Sequence, residues 1–437
     1  MESKQFFLGL LMAFLSLSSS IFAFGDATNS AGLADQAISE NKGESGFAIR
    51  ELRGLGAVGL QTLFENYAAD IENYKKTGEV TERWQKIAKA LDSVAMQKDV
   101  YASKLFWLTD LEKAKSESKR ANKPILSLRL LGNLNEELSC ANSRFFRSIL
   151  YPNAQISKYL QENYILHWKS ERPAPKITID FGDGRKIERT ITGNSIHYIL
   201  DSDGKVIDAL SGLNSPQTFY DFLYSGNALP RNTAQTQIAV AARNSALTNY
   251  RGRKYQNLTT QINRIGKNLK LEFDTTHQPN RNFEEMPPAI MAMTVATTKM
   301  IVEMPDLKNI TADITKYGEE QIKLESWKQI AKLSGKEAKL DENSINFIRL
   351  QVAKNMSDQE LKSMITKLEE YVSIDTARNE FLLRPTLLVW LAKGENAELE
   401  NFNKRVYSEL FLTPQEDKWL GLYAPDIYTA LDGNGIN

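Results

Sequence analysis

The chain has 437 residues, of which 42% are hydrophobic and 25% are charged. These proportions are typical of a soluble globular protein, and the length exceeds what one compact core usually absorbs, so two or three domains are expected. Lysine plus arginine equals aspartate plus glutamate at 54 each, which gives zero net charge. That balance excludes long-range electrostatic attraction to nucleic acid or anionic lipid, and we expect no nucleic-acid partner.

The first 23 residues have the pattern of a secretory signal peptide. Lys4 precedes an almost unbroken apolar run from Phe6 to Leu17, and a serine-rich stretch leads to a cleavable site at Ala23. The run is short for a membrane span and lacks a basic flank. We therefore expect an exported protein, periplasmic or extracellular, with no stable membrane span after cleavage. Retention of the segment as an anchor is the alternative. Residues 24–45, rich in Gly, Ser, Asn and Ala, are expected to form a disordered spacer.

Cys140 is the only cysteine, so no intramolecular disulfide can form, and the count excludes haem attachment and cysteine-based zinc sites. His167, His197 and His277 are far apart and lack the spacing of a metal site. No P-loop, dinucleotide fingerprint, HExxH or GxSxG motif occurs. The sequence therefore predicts neither a cofactor nor a metal.

Residues 46–104 are predicted to form a helical N-terminal region, because apolar residues recur there at helical spacing. The first stretch comprises Leu52, Leu55, Val58, Leu60 and Leu63, and the second comprises Trp84, Ile87, Leu91 and Val94.

Helical and strand patterns alternate through residues 105–230. In chain order they predict a helix begun by a capping box at 109–112, a strand at 125–131, helices at 140–150 and 154–162, a strand at 164–169, hairpins at 177–191 and 198–210, and a helix from 215 to 224. A strand–helix–strand unit followed by an antiparallel pair and a closing helix predicts a mixed sheet with helices on both faces.

Residues 231–437 are predicted to form a mainly helical C-terminal domain. Candidate helices lie near 234–250, 256–269, 287–303, 310–334, 343–354, 357–370, 374–393 and 396–410. Four methionines cluster in one of them, at Met291, Met293, Met300 and Met304. Their spacing among Ala, Val and Ile favours core packing over copper binding.

Three segments of the middle region resemble the thioredoxin family. They are the 122–126 entry Asn-Lys-Pro-Ile-Leu, the loop-to-helix Cys140–Arg144, and the hairpin Ile199–Val206. The block Ser139–Phe146 is similar to a group of exported bacterial thioredoxin-family proteins of uncharacterised function. The resemblance covers about residues 105–227. It implies an α/β thioredoxin-like central domain, with a mixed sheet flanked by helices, between mainly α-helical N- and C-terminal regions.

The redox motif departs from that family in two places. The family's CxxC pair here has Cys140 but ends in Ser143, and Ser195 stands where the family has a cis-proline. A single sulfur at a helix N-terminus, where the helix dipole stabilises a thiolate, permits monothiol chemistry only. The resemblance also brings His197 near the sulfur, where a Cys–His pair could activate it. Cys140, Ser143, Ser195 and His197 are therefore the candidate catalytic residues. The alternatives are an inert buried Cys140 and a His197 that only packs.

Three functional interpretations follow from these residues. The leading one is a thioredoxin-like interaction or redox-accessory module of the cell envelope with a degenerate CxxS motif. Its partners would be other exported proteins, including through a mixed disulfide. The second is a monothiol exchange or isomerase enzyme that uses Cys140. The third is a structural envelope protein whose C-terminal helices carry the function.

Overall fold

A computed structural model of the chain describes residues 31–190, 194–234, 240–271, 324–352, 355–394, 398–411, 413 and 430–435. The chain divides into two compact units, Met1–Phe106 and Trp107–Asn437. The predicted signal peptide, the helix at 287–303 and the four clustered methionines lie outside the described residues. Within the described residues, no helix combines the length and the apolar character needed to cross a membrane.

The first unit is helical, as expected. Its helices are α1 (Lys42–Gly54), α2 (Ala57–Asn66), α3 (Ala68–Thr77) and α4 (Glu82–Ala95). Two of them begin at polar caps that satisfy exposed backbone donors. The Asn41 side chain accepts hydrogen bonds from the first turn of α1, and the Thr81 side chain does the same for α4.

The expected disordered spacer differs from the structure over its described part. Residues 31–37 are helical, and α1 begins at Lys42. Ala34 and Ala37 are buried, and the Ala34 carbonyl accepts a hydrogen bond of 2.7 Å from the Tyr67 hydroxyl. Small-residue composition predicted disorder because it does not register that these two alanines are buried by tertiary contacts.

The first apolar stretch is only partly buried. Leu52, Leu60 and Leu63 are buried, but Leu55 and Val58 are 47% and 67% exposed. Gly56, with φ +72°, interrupts the helix between α1 and α2 and resets the direction of the following side chains. The second stretch, by contrast, is buried along α4 as the sequence predicts.

The second unit contains a four-stranded mixed sheet, as the sequence predicts. The strands are β1 (Ile125–Leu131), β2 (Ile165–Arg172), β3 (Lys176–Asp180), β4 (Lys186–Thr190), β5 (Ile196–Leu200) and β6 (Val206–Ser211). The sheet has the order β2-β1-β5-β6, in which β1 and β2 are parallel and the other neighbours are antiparallel. Strands β3 and β4 pair only with each other and form a separate hairpin.

The helices around the sheet begin close to the predicted residues, and all but the last end close to them. The last, predicted to end near residue 224, continues to Ala234. They are α5 (Leu111–Ala121), α6 (Ala141–Phe145, continued by the π-helical turn Phe146–Leu150), α7 (Ala154–Asn163) and α8 (Pro216–Ala234). The N-cap of α5 is Asp110 rather than Thr109, because the Asp110 side chain accepts from the backbone of Glu112 and Lys113. Asn122, with φ +50°, ends the helix in the left-handed conformation.

Further helices follow the sheet in the same compact unit. They are α9 (Val240–Leu269), α10 (Leu324–Leu333), α11 (Glu342–Gln351), α12 (Asp358–Arg378, continued by the π-helical turn Asn379–Leu383), α13 (Arg384–Ala392) and α14 (Leu399–Arg405, continued by the π-helical turn Val406–Leu410). The two helices expected at 234–250 and 256–269 are one helix over the described range of α9. Apolar residues of α9, α10, α12 and α13, among them Trp327 and Ile374, share one buried cluster.

These helices pack directly on the edge strand β6. The Arg384 side chain of α13 forms a 2.6 Å ion pair with Asp208, and both side chains are almost fully buried. Arg251 of α9 donates to the backbone carbonyls of Val206 and Ile207. The region expected as a separate domain from residue 231 is therefore joined to the sheet by buried polar contacts.

The two faces of the sheet differ in chemistry. On one face, Leu128 of β1 pairs with His197 of β5, whose ring packs against Phe146 and Phe219 of the adjoining helices. On the other face, Tyr198 donates a 3.0 Å hydrogen bond to Asn403 of α14. We call these the α6 face and the α14 face.

Candidate functional site

Cys140 occupies the position that the sequence predicts, directly after the β1-to-α6 loop. It is the N-cap residue of α6, and its backbone N–H donates to the Leu131 carbonyl at 3.0 Å. Its own carbonyl accepts from the Arg144 N–H at 3.2 Å. The residue has 0% solvent exposure, so the sulfur is sealed inside the protein. Burial of this kind blocks direct attack on a disulfide in solution.

The Ser143 hydroxyl is occupied by other groups. It lies 2.6 Å from the Ser139 hydroxyl and 2.8 Å from the Cys140 carbonyl oxygen. These contacts tie the first turn of α6 to the preceding loop. Ser143 therefore stabilises the backbone around the cysteine and does not serve as a resolving group.

His197 is held by a tyrosine. Its Nε2 lies 2.8 Å from the Tyr151 hydroxyl, and its ring is enclosed by Phe146 and Phe219 at centroid distances of 4.7 and 4.8 Å. Burial lowers the pKa of His197 to about 3, so the imidazole is neutral at physiological pH. The pKa of Tyr151 is raised, first by burial and then by the charge of Cys140. The Tyr151 hydroxyl therefore engages the Nε2 atom of His197.

Ser195 lies in the loop that leads into β5, and it is fully buried. Its carbonyl accepts a 2.9 Å hydrogen bond from the Gly212 N–H. Its hydroxyl is buried and has no hydrogen-bond partner among the described residues. The position of Ser195 next to β5 is the one that the sequence predicts, but among the described residues its hydroxyl forms no hydrogen bond with a candidate catalytic group.

The C-terminal segment, residues 398–411 and 413, lies over the α14 face and supplies groups that sequence reasoning missed. The Tyr407 hydroxyl donates to the Asn194 carbonyl at 3.2 Å. The Asn194 side chain in turn donates to the Thr413 hydroxyl at 3.0 Å and to the Phe411 carbonyl at 3.4 Å. Burial raises the pKa of Tyr407, and the charge of Glu171 adds to the shift.

A charged cluster under the same segment was also unforeseen. Arg129 of β1 is fully buried and pairs with Glu171 at 3.1 Å and with Glu400 of α14 at 2.8 Å. Lys169 reaches Glu400 at 3.1 Å. Burial alone would raise the pKa of Glu400, but the hydrogen bonds and charges of Arg129 and Lys169 outweigh it, and the pKa lies below its ordinary value. The apolar pattern of β1 predicted that the strand would be buried. It did not indicate that Arg129 within the strand would form buried ion pairs.

His167 lies on the α14 face, and its Nδ1 atom is 2.8 Å from the Ser127 hydroxyl oxygen. Burial lowers its pKa to about 3, and the charge of Arg129 contributes to the same shift. His167 and His197 therefore point to opposite faces of the sheet and cannot act together. Across the residues that the structure describes, no three or more His, Cys, Asp or Glu side chains are grouped as ligands for a metal ion.

Comparison of the chain with protein-family models, with curated proteins and with solved structures found no match. The class of the protein is therefore assigned from its fold and its site alone. It is a mixed α/β protein, mostly helical, with a four-stranded mixed sheet and a single sealed cysteine at the start of a helix.

Proposed function

We propose that the chain is an exported protein whose sheet and flanking helices form a thioredoxin-like domain that acts by binding other exported proteins. In this proposal the domain is an interaction or redox-accessory module of the cell envelope. The order β2-β1-β5-β6, with one parallel pair and a helix after β6, supports the thioredoxin-like assignment. This arrangement is the strand–helix–strand unit with an antiparallel pair that the order of elements in the sequence predicts. The apolar N-terminal pattern supports export.

The burial of Cys140 is the observation that carries the proposal. A thiol-disulfide enzyme needs an accessible sulfur, and this one has 0% exposure. The hydroxyl of Ser143 and the ring nitrogen of His197 are both engaged elsewhere. With these groups occupied, binding is the activity that the closed site supports best.

The β3–β4 hairpin offers a surface for such binding. It pairs with no other strand of the described sheet, and Phe181 beside its turn is 52% exposed. Its base is fixed to α6, since Arg144 donates to the Thr190 hydroxyl at 2.9 Å. A rigidly based hairpin with an exposed aromatic side chain is a suitable contact element for a protein partner.

A disulfide-exchange assay tests the proposal. The full-length protein and its Cys140→Ser variant are compared as catalysts of disulfide reduction in a model protein, with glutathione as the external thiol. We expect equal rates, both at the uncatalysed level. Catalysis by the unmodified chain that Cys140→Ser abolishes would overturn the interaction proposal in favour of an enzyme.

The contact surface has its own test with a matched control. Phe181→Asp is expected to remove the crosslinked complexes that the tagged protein forms in intact source cells. Phe47→Asp changes an equally exposed phenylalanine, 50% against 52%, in the other unit and is expected to keep them. Equal crosslinking by both variants would remove the hairpin from the proposal.

The alternative function, monothiol exchange, is favoured by one observation, the location of Cys140 at the start of α6. In that reaction the Cys140 thiolate would attack a substrate disulfide and release one substrate sulfur as a thiolate. An external thiol would then attack the mixed disulfide and regenerate Cys140. The exchange is balanced without any further oxidant, but it requires an uncovered sulfur.

A further inference from the structure

The outer edge of β3 pairs with no strand among the residues that the structure describes. β3 pairs with β4 alone, over five residues. At the turn end of this ladder the Phe181 N–H donates to the Arg185 carbonyl at 3.1 Å. Hydrogen-bonded pairs alternate along an antiparallel ladder, so the backbone groups that point away from β4 belong to three exposed residues, Lys176, Thr178 and Asp180. This edge therefore offers free donors and acceptors to another strand.

The side chains of the hairpin divide between a polar and an apolar face. Ile177 and Ile179 of β3 lie half-buried on one face, and Ile187 of β4 is directly opposite Ile179. The other side chains of β3 are exposed. A hairpin of two strands is marginally stable in water, and further strands that extend its apolar face stabilise it. A strand added at the edge of β3 would lengthen this isoleucine face.

The sequence of β3 is complementary to itself in the antiparallel direction. The strand reads Lys-Ile-Thr-Ile-Asp over residues 176–180. When two copies are aligned about Thr178, Lys176 of each copy lies opposite Asp180 of the other. The same alignment places Ile177 opposite Ile179 and Thr178 opposite Thr178. Opposite charges, apolar pairs and paired threonines are the cross-strand contacts that stabilise antiparallel sheets.

Other ways of joining two hairpins bring like charges together. Self-pairing of β4 about its centre would place Glu188 opposite Glu188. Parallel pairing of β3 would place Lys176 opposite Lys176 and Asp180 opposite Asp180. Like charges directly opposite each other destabilise a sheet. The antiparallel contact of β3 with β3 is therefore the favoured one.

The length of the contact is limited at both ends of β3. Pro175, which cannot donate a hydrogen bond, directly precedes the strand, and Gly182, with φ +76°, turns the chain soon after it. A short contact of one edge with its own copy uses the same surface on both chains, so it closes with twofold symmetry and does not propagate.

We infer that the outer edge of β3 binds a second copy of this chain, so that two hairpins form a four-stranded antiparallel sheet of order β4-β3-β3-β4 with a twofold axis at Thr178. Five residues from each chain form a small interface, so the dimer is weak and depends on protein concentration. This inference goes beyond the proposed binding function, which uses Phe181 beside the turn to contact other exported proteins.

Sedimentation velocity of the full-length protein over a concentration series tests the dimer. We expect a reversible monomer–dimer equilibrium. Lys176→Glu places like charges at both ends of the contact and should raise the dissociation constant about tenfold. Lys158→Glu makes the same change of charge at an exposed residue of α7 and should leave the constant unchanged.

A proline substitution tests the hydrogen bonds of the edge. Thr178→Pro removes an N–H that points away from β4 and keeps those that bind β4, a change that edge strands tolerate. It should abolish the dimer and leave the circular dichroism spectrum and the urea unfolding midpoint of the monomer unchanged.

Disulfide formation tests the register without relying on that substitution. In the Cys140→Ser background, Thr178→Cys would place two cysteines opposite each other with Cα atoms about 5.5 Å apart, which is within disulfide range. The control is Glu188→Cys, whose two copies would be about 14 Å apart across three strand spacings. Mild oxidation should produce a covalent dimer from Thr178→Cys and none from Glu188→Cys.

A dimer weakened by Lys176→Glu but not by Lys158→Glu, with a disulfide at residue 178 but not at 188, supports the inference. A protein that stays monomeric at every concentration overturns it, as does equal oxidation of the two cysteine variants. Such a failure leaves the Phe181-dependent complexes intact. Conversely, loss of those complexes would leave the dimer intact.

Discussion

The buried ion pair between Arg384 and Asp208 should carry much of the stability of the second unit. Both side chains are almost inaccessible, at 2% and 0% exposure, and their closest atoms are 2.6 Å apart. Arg384 also donates to the Ala209 carbonyl at 2.5 Å and stacks over Phe222 at 5.2 Å. The Asp208 carboxylate also accepts hydrogen bonds from the Tyr250 hydroxyl at 2.8 Å and from the Ala209 backbone N–H at 2.9 Å.

Arg384→Met would leave the Asp208 carboxylate buried without its counter-ion. Loss of one partner of a buried pair typically costs about 3–5 kcal/mol, because the remaining charge keeps its desolvation penalty. Tyr250→Phe removes one hydrogen bond to a carboxylate that still has Arg384, so about 1.5 kcal/mol is expected. The combined change Asp208→Leu with Arg384→Met should recover part of the loss, since no charge stays buried.

Urea unfolding of the full-length variants, followed by circular dichroism, measures these differences. Lys328→Met is the control, since it removes an exposed pair with Glu370 at 3.0 Å and should cost less than about 1 kcal/mol. If Arg384→Met were no more destabilising than Lys328→Met, the inference that this pair joins the C-terminal helices to the sheet would be wrong.

Three further perturbations have defined outcomes. Burial and the charge of Asp99 raise the pKa of Asp92 to about 7, so the first unit should lose stability, up to about 4 kcal/mol, as pH rises from the unfolded value near 4 through 7. Calorimetry at pH 4–8 should show a flatter dependence for Asp92→Asn; a wild-type transition insensitive to pH would contradict this. The low pKa values of His167 and His197 act oppositely: the second unit should lose stability as pH falls from about 6.5 toward 3, and neither ring should titrate by NMR between pH 5 and 8. A midpoint near 6.5 for either ring would be inconsistent with its burial. Gly212→Ala should lower the free energy of unfolding by more than the usual cost of about 1 kcal/mol for a left-handed alanine. The reason is that φ is +67° and the added Cβ would lie 2.6 Å from the Asn379 side chain. An unchanged unfolding midpoint would show that the loop moves to accommodate the methyl group.

Local sequence signals predicted most of the individual elements. The strand 125–131, the two hairpins and the helix starts near residues 111, 141 and 154 all follow from apolar periodicity, caps and glycine turns. In the β5–β6 turn, the Asp201 side chain accepts hydrogen bonds from the backbone N–H groups of Asp203 and Lys205. These bonds stabilise the turn and explain why an aspartate at this position is a strong hairpin signal.

The same signals misplaced several helix boundaries. The closing helix runs to Ala234, and one helix, Asp358–Arg378, spans the break predicted near residues 370–374. The sequence around Gly252 was interpreted as a break between two helices, but α9 continues through it. Glycine inside a helix costs about 1 kcal/mol. Here the neighbouring Arg251 offsets this cost with hydrogen bonds to the carbonyls of Val206, Ile207 and Leu391. Such tertiary compensation has no counterpart in the local pattern.

The contacts between the C-terminal segment and the sheet could not be predicted from the sequence. Arg129 and Glu400 are separated by 271 residues, and Asn194 and Thr413 by 219. Contacts over such separations leave no periodic trace in one sequence. Likewise, the motif indicated where Cys140 would lie along the chain but not that the residue would be fully buried.

The central claim is that the cysteine is sealed in the native protein, and thiol titration tests it most directly. Ellman's reagent is added to the full-length protein in buffer and, in parallel, in concentrated guanidinium chloride. We predict no rapid release of thionitrobenzoate from the native protein and one equivalent after denaturation, since Cys140 is the only cysteine. Release of one equivalent from the native protein at the rate of a free thiol would contradict the claim and favour a monothiol enzyme.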